Sequence, residues 1–486
     1  MLFNSISFAV FLPVVFLLYW FVVAKKLSIQ NVLLLACSYF FYACWDYRFL
    51  FLLTFSTLLD FVTGHKMYES KSEGAKKYWF WLSICINLGF LGIFKYYNFF
   101  AASFADFASL FGFKASFATL NVVLPVGISF YTFHGLSYVI DIYNKKILPE
   151  RNFIDYAVFV SFFPLLVAGP IERATHLLPQ IKNKRSFDYA KAVSGLKQIL
   201  WGLFKKIVIA DNCAEYADTV FNNPGQYGGT TLILGAVFFA MQIYGDFSGY
   251  SDIAIGTAKL FGIDLLRNFS YPYFSRDIAE FWRRWHISLS TWFRDYLYIP
   301  LGGSKGNWWK KIRNIFIIFI VSGFWHGANW TFIIWGALNA LFILPSVLIK
   351  ANRSNLDIVA RGKWFPTARE FFHLCITFML TVFAWIFFRS ENIIQALQFI
   401  KGIFSASFLA MPDGEAFLRQ DAASVYSILA MIVVFMAIEW MGREQQYPIE
   451  KLSKFPKVFR WATYYSILWS IVYFQGNQHQ FIYFQF

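Results

Sequence analysis

A single histidine interrupts the apolar run FIIFIVSGFWHGANWTFIIWGALNALFIL, which covers residues 316–344 and contains no Asp, Glu, Lys or Arg. An ionisable side chain in such a run is a candidate functional residue, and burial disfavours the charged form of an imidazole. A neutral imidazole is the form that a general base needs to remove a proton from a hydroxyl nucleophile. His326 therefore predicts base catalysis without a metal. The alternative is a structural imidazole that hydrogen-bonds a backbone carbonyl across two packed helices.

The residues around His326 fit either interpretation. Gly323, Gly327 and Ala328 would let another helix approach closely, while Trp325 and Asn329 supply polar atoms. We take Trp325 and Asn329 as candidate residues of a substrate site or tunnel.

A second candidate region is SRDIAEFWRRWHISLSTWFRDYLYIPLGG, residues 275–303. Arg276, Glu280 and Arg284 follow i,i+4 spacing, which predicts a helix. Arginine suits phosphate oxygens, so the region could form a mouth that holds a phosphate-bearing donor. A basic and aromatic helix that lies at the membrane interface as an anchor is the alternative. The candidate residues here are Arg283, Arg284, Trp285 and His286.

Two carboxylates lie in the apolar stretch QIYGDFSGYSDIAIG, residues 242–256. Gly245 and Gly249 have the G-x-x-x-G spacing of closely packed membrane helices. Packing does not explain Asp246 and Asp252, which need partners inside a membrane. We predict those partners among Arg283, Arg284 and the histidines, and we take Asp246, Ser248 and Asp252 as lining residues. In LPVGISFYTFHGLSYVIDIY, by contrast, we interpret Pro125 as a helix kink and His134 as structural.

The sequence ends in QFIYFQF. Phe481, Tyr483 and Phe486 fit an aromatic belt at the membrane surface. The alternative is a tail that folds back into a cavity and carries the phenol of Tyr483 to His326.

These residues belong to a chain whose composition indicates a membrane protein. Of 486 residues, 58% are hydrophobic and 15% charged, against about 25% charged in soluble proteins. Apolar stretches of about 20 residues recur without the alternation of barrel strands. We predict an all-α polytopic protein with roughly 11–13 membrane segments. The first of them, near residues 8–24, lacks the features of a cleavable signal, and the five cysteines lack metal-ligand spacing.

The net charge of +15 is a topology signal rather than a nucleic-acid site, because basic residues gather in short loops that alternate with neutral or acidic segments. Basic loops stay in the cytoplasm. This rule predicts both termini outside the membrane, and it assigns residues 45–49, 96–119, 211–230 and 405–423 to outer loops. His326 follows Arg313 by 13 residues, about 20 Å of helix. Residues 153–170 lie between two basic loops, so we predict a re-entrant segment there.

Several long stretches resemble the membrane-bound O-acyltransferase family, most of all its bacterial alginate O-acetylation branch. They are LPVGISFYTFHGLSYVIDIY, AGPIER, GLFKKIVIAD, YGDFSGYSDIAIG, NFSYPYFSRDIAEFWRRWHISLSTWFRDYLYIPLGG, GFWHGANWTFIIWGALNA and the terminal FIYFQF. The resemblance implies a ring of helices and re-entrant segments around a central tunnel. It divides one integral membrane domain into N-terminal helices (1–119), a catalytic core (120–345) and C-terminal helices with the tail (346–486).

The resemblance also implies residue roles. His326 corresponds to the family's catalytic base, His286 lines the cytoplasmic donor entrance, and Tyr483 carries the acyl group outward. The donor would be a cytoplasmic thioester, acetyl coenzyme A or an acylated carrier protein, with no bound cofactor. Besides membrane lipids, the expected partner is a soluble acyltransferase of the SGNH type, as in alginate acetylation, on the outer side of a bacterial inner membrane. D-alanyl transfer and acetylation of peptidoglycan or cellulose stay open, as do a transporter and a scaffold for an exported acyltransferase.

Overall fold

The computed structural model describes residues 1–113, 117, 119–120, 124–166, 169–405, 407–408, 410–413, 424–476 and 479–482, and these form helices without a strand. The α-helices are α1 (Ile6–Leu17), α2 (Leu27–Ala43), α3 (Arg48–Glu69), α4 (Glu73–Leu91), α5 (Tyr97–Leu110), α6 (Ile128–Tyr143), α7 (Phe153–Ser161), α8 (Phe163–Leu166), α9 (Ala174–Lys182), α10 (Tyr189–Phe204), α11 (Asp211–Asn222), α12 (Gly229–Leu260), α13 (Ile278–Arg284), α14 (Ile287–Phe293), α15 (Trp308–His326), α16 (Trp330–Leu348), α17 (Ala368–Arg389), α18 (Ile393–Ile403), α19 (Val425–Gly442) and α20 (Lys457–Tyr473). Short π-helical segments are Leu18–Val22, Gly92–Tyr96, Lys205–Ala210 and Arg294–Tyr298, and 3-10 turns are Pro224–Gln226, Pro272–Phe274 and Glu450–Lys454.

The helices confirm an all-α polytopic membrane protein. Within the described residues, five stretches are long and apolar enough to cross a membrane: Glu73–Leu110, Gly229–Leu260, Trp330–Leu348, Ala368–Arg389 and Val425–Gly442. Shorter apolar helices are Ile6–Val22, Leu27–Ala43 and Ile393–Ile403. The total of 11–13 segments and the ring around a tunnel stay predictions.

The chain divides into two compact units. Unit 1 comprises residues 1–192 and 257–266, and unit 2 comprises residues 193–256 and 267–486. Every predicted site residue that the structure describes lies in unit 2. The sequence-based division after residues 119 and 345 stays a prediction.

In unit 1, the segment predicted to be re-entrant is a broken helix. Phe162 (φ −51°, ψ 115°) separates α7 from α8. The nine residues of α7 span about 14 Å, half of the roughly 30 Å that a crossing needs. Lys182, at the end of α9, forms a salt bridge of 2.8 Å with Glu150, just before α7. The chain therefore has residues 150 and 182 next to each other. Residues 167 and 168 of the segment lie outside the described residues, and a re-entrant path through the membrane stays a prediction.

The structural interpretation of His134 in α6 is confirmed by its contacts. Its Nε2 accepts a hydrogen bond of 3.1 Å from the backbone N–H of Glu172. An accepting Nε2 implies that Nδ1 carries the proton and donates to the carbonyl oxygen of Val160, 3.4 Å away. The predicted kink at Pro125 is wrong, because α6 begins only at Ile128 after a turn at Gly127 (φ 76°).

Two segments predicted to be outer loops are largely helical, so the loop interpretation is wrong there, while their side of the membrane stays a prediction. Residues 97–110 form α5, and residues 211–222 form α11. Asp211 and Glu215 at the start of α11 are buried inside unit 2. Acidic residues therefore do not mark an exposed loop here, because Lys206 forms a salt bridge of 2.8 Å with Asp211 inside the fold. Residues 406, 409 and 414–423 of the segment 405–423 lie outside the described residues.

Candidate active site

His326 is the last residue of α15 and lies in an aromatic environment. Its side chain is 4% exposed. The ring packs edge-on against Trp335, with centroids 5.1 Å apart, and against Phe388 at 5.2 Å. The neighbouring Trp325 ring lies at 4.8 Å. These aromatic surfaces leave the imidazole little contact with water.

The position of His326 depends on close packing of α15 against α16. A Cβ atom on Gly323 would clash with the carbonyl oxygen of Phe332, and one on Gly336 would clash with that of Phe319. The predicted close approach at Gly323 is therefore confirmed. Only glycine permits this backbone separation, which fixes the end of α15 one turn after Gly323.

We expect Gly323→Ala to lower the free energy of unfolding by about 1–3 kcal/mol, the usual range for overpacking, because the clash is with backbone. It should also lower acyl transfer, since His326 follows three residues later. Gly89→Ala is the matched control, because its Cβ would meet no atom within 4 Å. Unfolding and transfer assays on both variants check this, and equal behaviour of the two would contradict it.

Asn329 holds the turn between the two helices. Its side chain accepts a hydrogen bond of 3.1 Å from the backbone N–H of Thr331 and so caps α16. Its Nδ2 donates to the carbonyl oxygen of Glu391 at 2.6 Å. These contacts give Asn329 a structural role beside the predicted role in lining a substrate site.

His286 lies at a break between two short helices. The predicted helix around Glu280 is present as α13, but it ends at Arg284, and α14 begins at Ile287. His286 has left-handed backbone angles (φ 42°, ψ 55°), which are costly for a non-glycine residue. Its buried ring packs on Phe247 at 4.6 Å and lies 6.1 Å from the Trp325 ring. Trp325 therefore contacts both candidate histidines.

Other groups of the protein form hydrogen bonds with the non-helical backbone between α13 and α14. The backbone N–H of Ile287 donates to the carbonyl oxygen of Asn268 at 2.9 Å. The backbone N–H of Ser270 donates to the carbonyl oxygen of Arg284, also at 2.9 Å. The hydroxyl of Ser288 donates to Asn268 Oδ1 at 2.6 Å. Irregular backbone at membrane depth requires such partners. Asn268, which the sequence did not single out, thus holds the segment that carries His286.

The arginines of this region bind protein groups. Arg283 donates to the carbonyl oxygens of Asn352 and Asn355 at 2.7 and 2.8 Å. Arg284 forms a salt bridge of 2.7 Å with Glu280. Trp285 packs against the Trp385 ring, with centroids 5.1 Å apart. The predicted pairing of these arginines with Asp246 or Asp252 is wrong.

The aspartates instead pair with two adjacent lysines. Lys205 and Lys206 begin the π-helical segment Lys205–Ala210, and both are buried. Lys205 lies 2.6 Å from Asp252. Lys206 lies 2.8 Å from Asp246 and 2.8 Å from Asp211. Each buried charge therefore has an opposite charge beside it, as a low-dielectric interior requires.

Glycines allow the backbones of α10 and α12 to approach closely enough for these ion pairs to form. A Cβ on Gly202 would lie 2.6 Å from the carbonyl oxygen of Gly249, and one on Gly249 would lie 2.8 Å from that of Gly202. The close packing predicted from the G-x-x-x-G spacing is confirmed at Gly249. A Cβ on Gly245 would lie 3.0 Å from the carbonyl oxygen of Lys205.

A small cavity lies beside the ion pair of Lys205 and Asp252. Its volume is about 20 Å³, enough for one water molecule. Ser248, a predicted lining residue, contributes to its wall. Lys205 and Asp252 line it as well, together with Glu439, whose carboxylate accepts from Tyr244 Oη at 2.5 Å. Two adjacent lysines inside the apolar stretch GLFKKIVIAD were the signal that could have identified this cluster.

The C-terminal segment folds back into unit 2. Phe481 and Ile482 are 0% and 1% exposed, so Phe481 does not belong to an aromatic belt. The Phe481 ring lies 4.5 Å from the Tyr250 ring. Tyr483, the predicted acyl carrier, and Phe486, the third residue of the predicted belt, lie outside the described residues.

Comparisons with known proteins identify a family and several relatives of this chain. The model of the membrane-bound O-acyltransferase family matches residues 144–389. The chain is 36% identical to a probable alginate O-acetylase of Pseudomonas aeruginosa, over 94% of this chain and 84% of that protein. It is 37% identical to a peptidoglycan O-acetyltransferase of Helicobacter pylori, over 83% of this chain and 80% of that protein. A teichoic acid D-alanyltransferase of Bacillus subtilis is 29% identical, over 56% of this chain and 70% of that protein.

The long apolar helices, the matched region and the identity over most of the chain lead to one conclusion. This protein is a multi-pass membrane enzyme, an O-acyltransferase that belongs to the membrane-bound O-acyltransferase family.

Proposed function

We propose that the protein moves an acetyl group from a cytoplasmic thioester across the membrane, for transfer to hydroxyl groups of an alginate-like polysaccharide outside. The observation that carries this proposal is the 36% identity to the Pseudomonas aeruginosa relative over 94% of the chain. The peptidoglycan O-acetyltransferase of Helicobacter pylori, at 37% identity, supports the same acyl group. Both relatives are named for acetylation, and both alginate and peptidoglycan carry acceptor hydroxyls.

D-alanyl transfer is the second candidate, and the comparisons favour it less. Teichoic acid D-alanyltransferases of Bacillus subtilis and Streptococcus thermophilus are 29% and 30% identical over only 56% and 49% of this chain. The O-acetyl relatives match at 36–37% over 83–94%.

His326 is the proposed general base, and its buried aromatic surroundings support this role. In the first step, the phenol oxygen of Tyr483 attacks the thioester carbonyl carbon while His326 takes the phenol proton. The carbon–sulfur bond then breaks, and the thiolate leaves and receives that proton from the imidazolium. The products are a free thiol and an acetyl phenol ester, a form of covalent catalysis.

The phenol ester would then pass its acetyl group outward. Phenolate is a good leaving group, so the ester keeps much of the transfer potential of the thioester. The proposed partner is a soluble SGNH-type acyltransferase outside the membrane, which takes the acetyl group and esterifies the polysaccharide. We place the protein in the bacterial inner membrane with both termini outside, as the basic loops indicate.

The donor would enter from the cytoplasmic side near His286, whose contact with the Trp325 ring supports a path towards His326. Acetyl coenzyme A and an acylated carrier protein share the thioester that this chemistry needs. The residues proposed to line the path are Trp325, Asn329, Asp246, Ser248, Asp252, Arg283, Arg284 and Trp285.

Mass spectrometry of the C-terminal peptide from protein purified from its own host tests the relay. We expect an acetyl adduct on Tyr483 in the wild type and none in Tyr483→Phe, which keeps the ring but lacks the hydroxyl. Tyr473→Phe, on exposed α20, is the matched control and should keep the adduct. An alanyl mass would support the second candidate, and unchanged polysaccharide acetylation in Tyr483→Phe would contradict the relay.

A further inference from the structure

A buried charged cluster joins the C-terminal segment to the rest of unit 2. Its centre is Lys206, which is 1% exposed. An ammonium group has three N–H donors. Two of them face Asp211 and Asp246, each at 2.8 Å. The third donates to the carbonyl oxygen of His479 at 3.1 Å. The tail backbone thus completes the coordination of this lysine.

Asp246 makes a second contact with the tail. While its Oδ1 faces Lys206, its Oδ2 accepts a hydrogen bond of 2.7 Å from the backbone N–H of Ile482. A hydrogen bond to an ionised acceptor is about twice as strong as a neutral one. Residues 479 and 482 are therefore both held through backbone atoms, so the cluster fixes the path of the chain and not only one side chain.

Aromatic packing between these two points adds to the attachment. The Phe481 ring lies 4.5 Å from Tyr250 and 6.0 Å from Phe247. Phe247 in turn packs on the His286 ring at 4.6 Å. Phe481 of the tail therefore packs on an aromatic residue, Phe247, that itself contacts the candidate residue His286.

We propose that Lys206 and Asp246 are positioning residues for the acyl relay: they clamp the tail backbone at residues 479 and 482, which directly precede the proposed acyl carrier in the sequence. This inference rests on the proposed function. Asp211 keeps Lys206 in place and has no described contact with the tail.

Ile482→Pro tests the clamp while leaving the three charges intact. Proline removes the N–H that Asp246 accepts, whereas the control Ile482→Val keeps that N–H and shortens the side chain. We expect the proline variant to lose Tyr483 acetylation by at least about tenfold, the effect of one charge-assisted hydrogen bond. The valine variant should stay near the wild-type level.

A second measurement separates positioning from general destabilisation. Thiol release from acetyl coenzyme A, with the soluble tyrosine analogue 4-methylphenol as acceptor, should depend on His326 but not on the tail. We expect this rate to stay within about twofold of wild type in Ile482→Pro. Loss of both activities would overturn the proposal, because the contact would then be structural only.

Carboxypeptidase digestion of the folded protein tests the clamp without relying on the relay. The wild-type tail should resist removal, and Ile482→Pro should lose its last residues at least about tenfold faster. Equal rates would overturn the clamp. A wild-type tail that is protected but never acetylated would instead refute the relay and with it the positioning role, while leaving the attachment itself in place.

Discussion

His326→Ala is expected to lower acetyl transfer by about 10²–10⁴-fold, the usual contribution of a positioned general base. The imidazole accepts the proton of the attacking hydroxyl. The Trp335 and Phe388 rings that pack against it cannot accept that proton in its place. The measurement is single-turnover thiol release from acetyl coenzyme A at matched expression, together with the Tyr483 adduct. Both should fall together, because both require the same proton transfer.

His373→Ala is the matched control for this variant. His373 is a second histidine on a membrane helix, α17, but it is exposed, and its removal should leave transfer within about twofold of wild type. A transporter would respond to His326→Ala with altered flux and unchanged surface acetylation. A scaffold for an exported acyltransferase would show no effect while the assembly stays intact. Equal Tyr483 acetylation in wild type and His326→Ala would refute the proposed base.

Lys206→Met is expected to lower the free energy of unfolding by about 3–5 kcal/mol, the range for removing one partner of a buried ion pair. Methionine keeps much of the length of lysine but leaves Asp211 and Asp246 without the ammonium group 2.8 Å away. Two carboxyl groups would then lie close together in an apolar interior with no ammonium group beside them. Chemical unfolding in detergent micelles, followed by tryptophan fluorescence, measures the loss.

The cause can be tested by removing the charges as a set. The triple variant Lys206→Met, Asp211→Asn, Asp246→Asn should recover most of the loss, because neutral amides need no counter-ion. Lys401→Met, at an exposed position in the last turn of α18, should change stability by less than about 0.5 kcal/mol. If the triple variant is no more stable than Lys206→Met, unpaired charge is not the cause.

The sequence by itself determined the class of the protein and its principal candidate residue. A 58% hydrophobic chain with repeated apolar stretches must place helices in lipid, because no water-soluble core could bury them. One histidine in a 29-residue uncharged run is conspicuous for the same reason. Packing at Gly323 and Gly249 was also predictable, since small residues allow helix backbones to approach.

The tertiary structure alone decided which charges meet. Asp246 and Asp252 required cations, but sequence spacing cannot rank Arg283 and Arg284, 31–38 positions away, against Lys205 and Lys206, 40–47 positions away. The choice depends on which helices pack together and on the π-helical turn at Lys205. In the fold, Arg283 and Arg284 bind carbonyl oxygens and Glu280, so they are committed elsewhere.

The same limit applies to the tail and to the acidic segment at residues 211–222. An apolar C-terminus is compatible with an aromatic belt at the membrane surface and with a tail buried inside the protein, because both arrangements keep Phe481 away from water. An aspartate fits an outer loop as well as a buried ion pair. Local pattern reports only that a side chain avoids or prefers water, whereas burial of Phe481 and Asp211 depends on partners from distant parts of the chain.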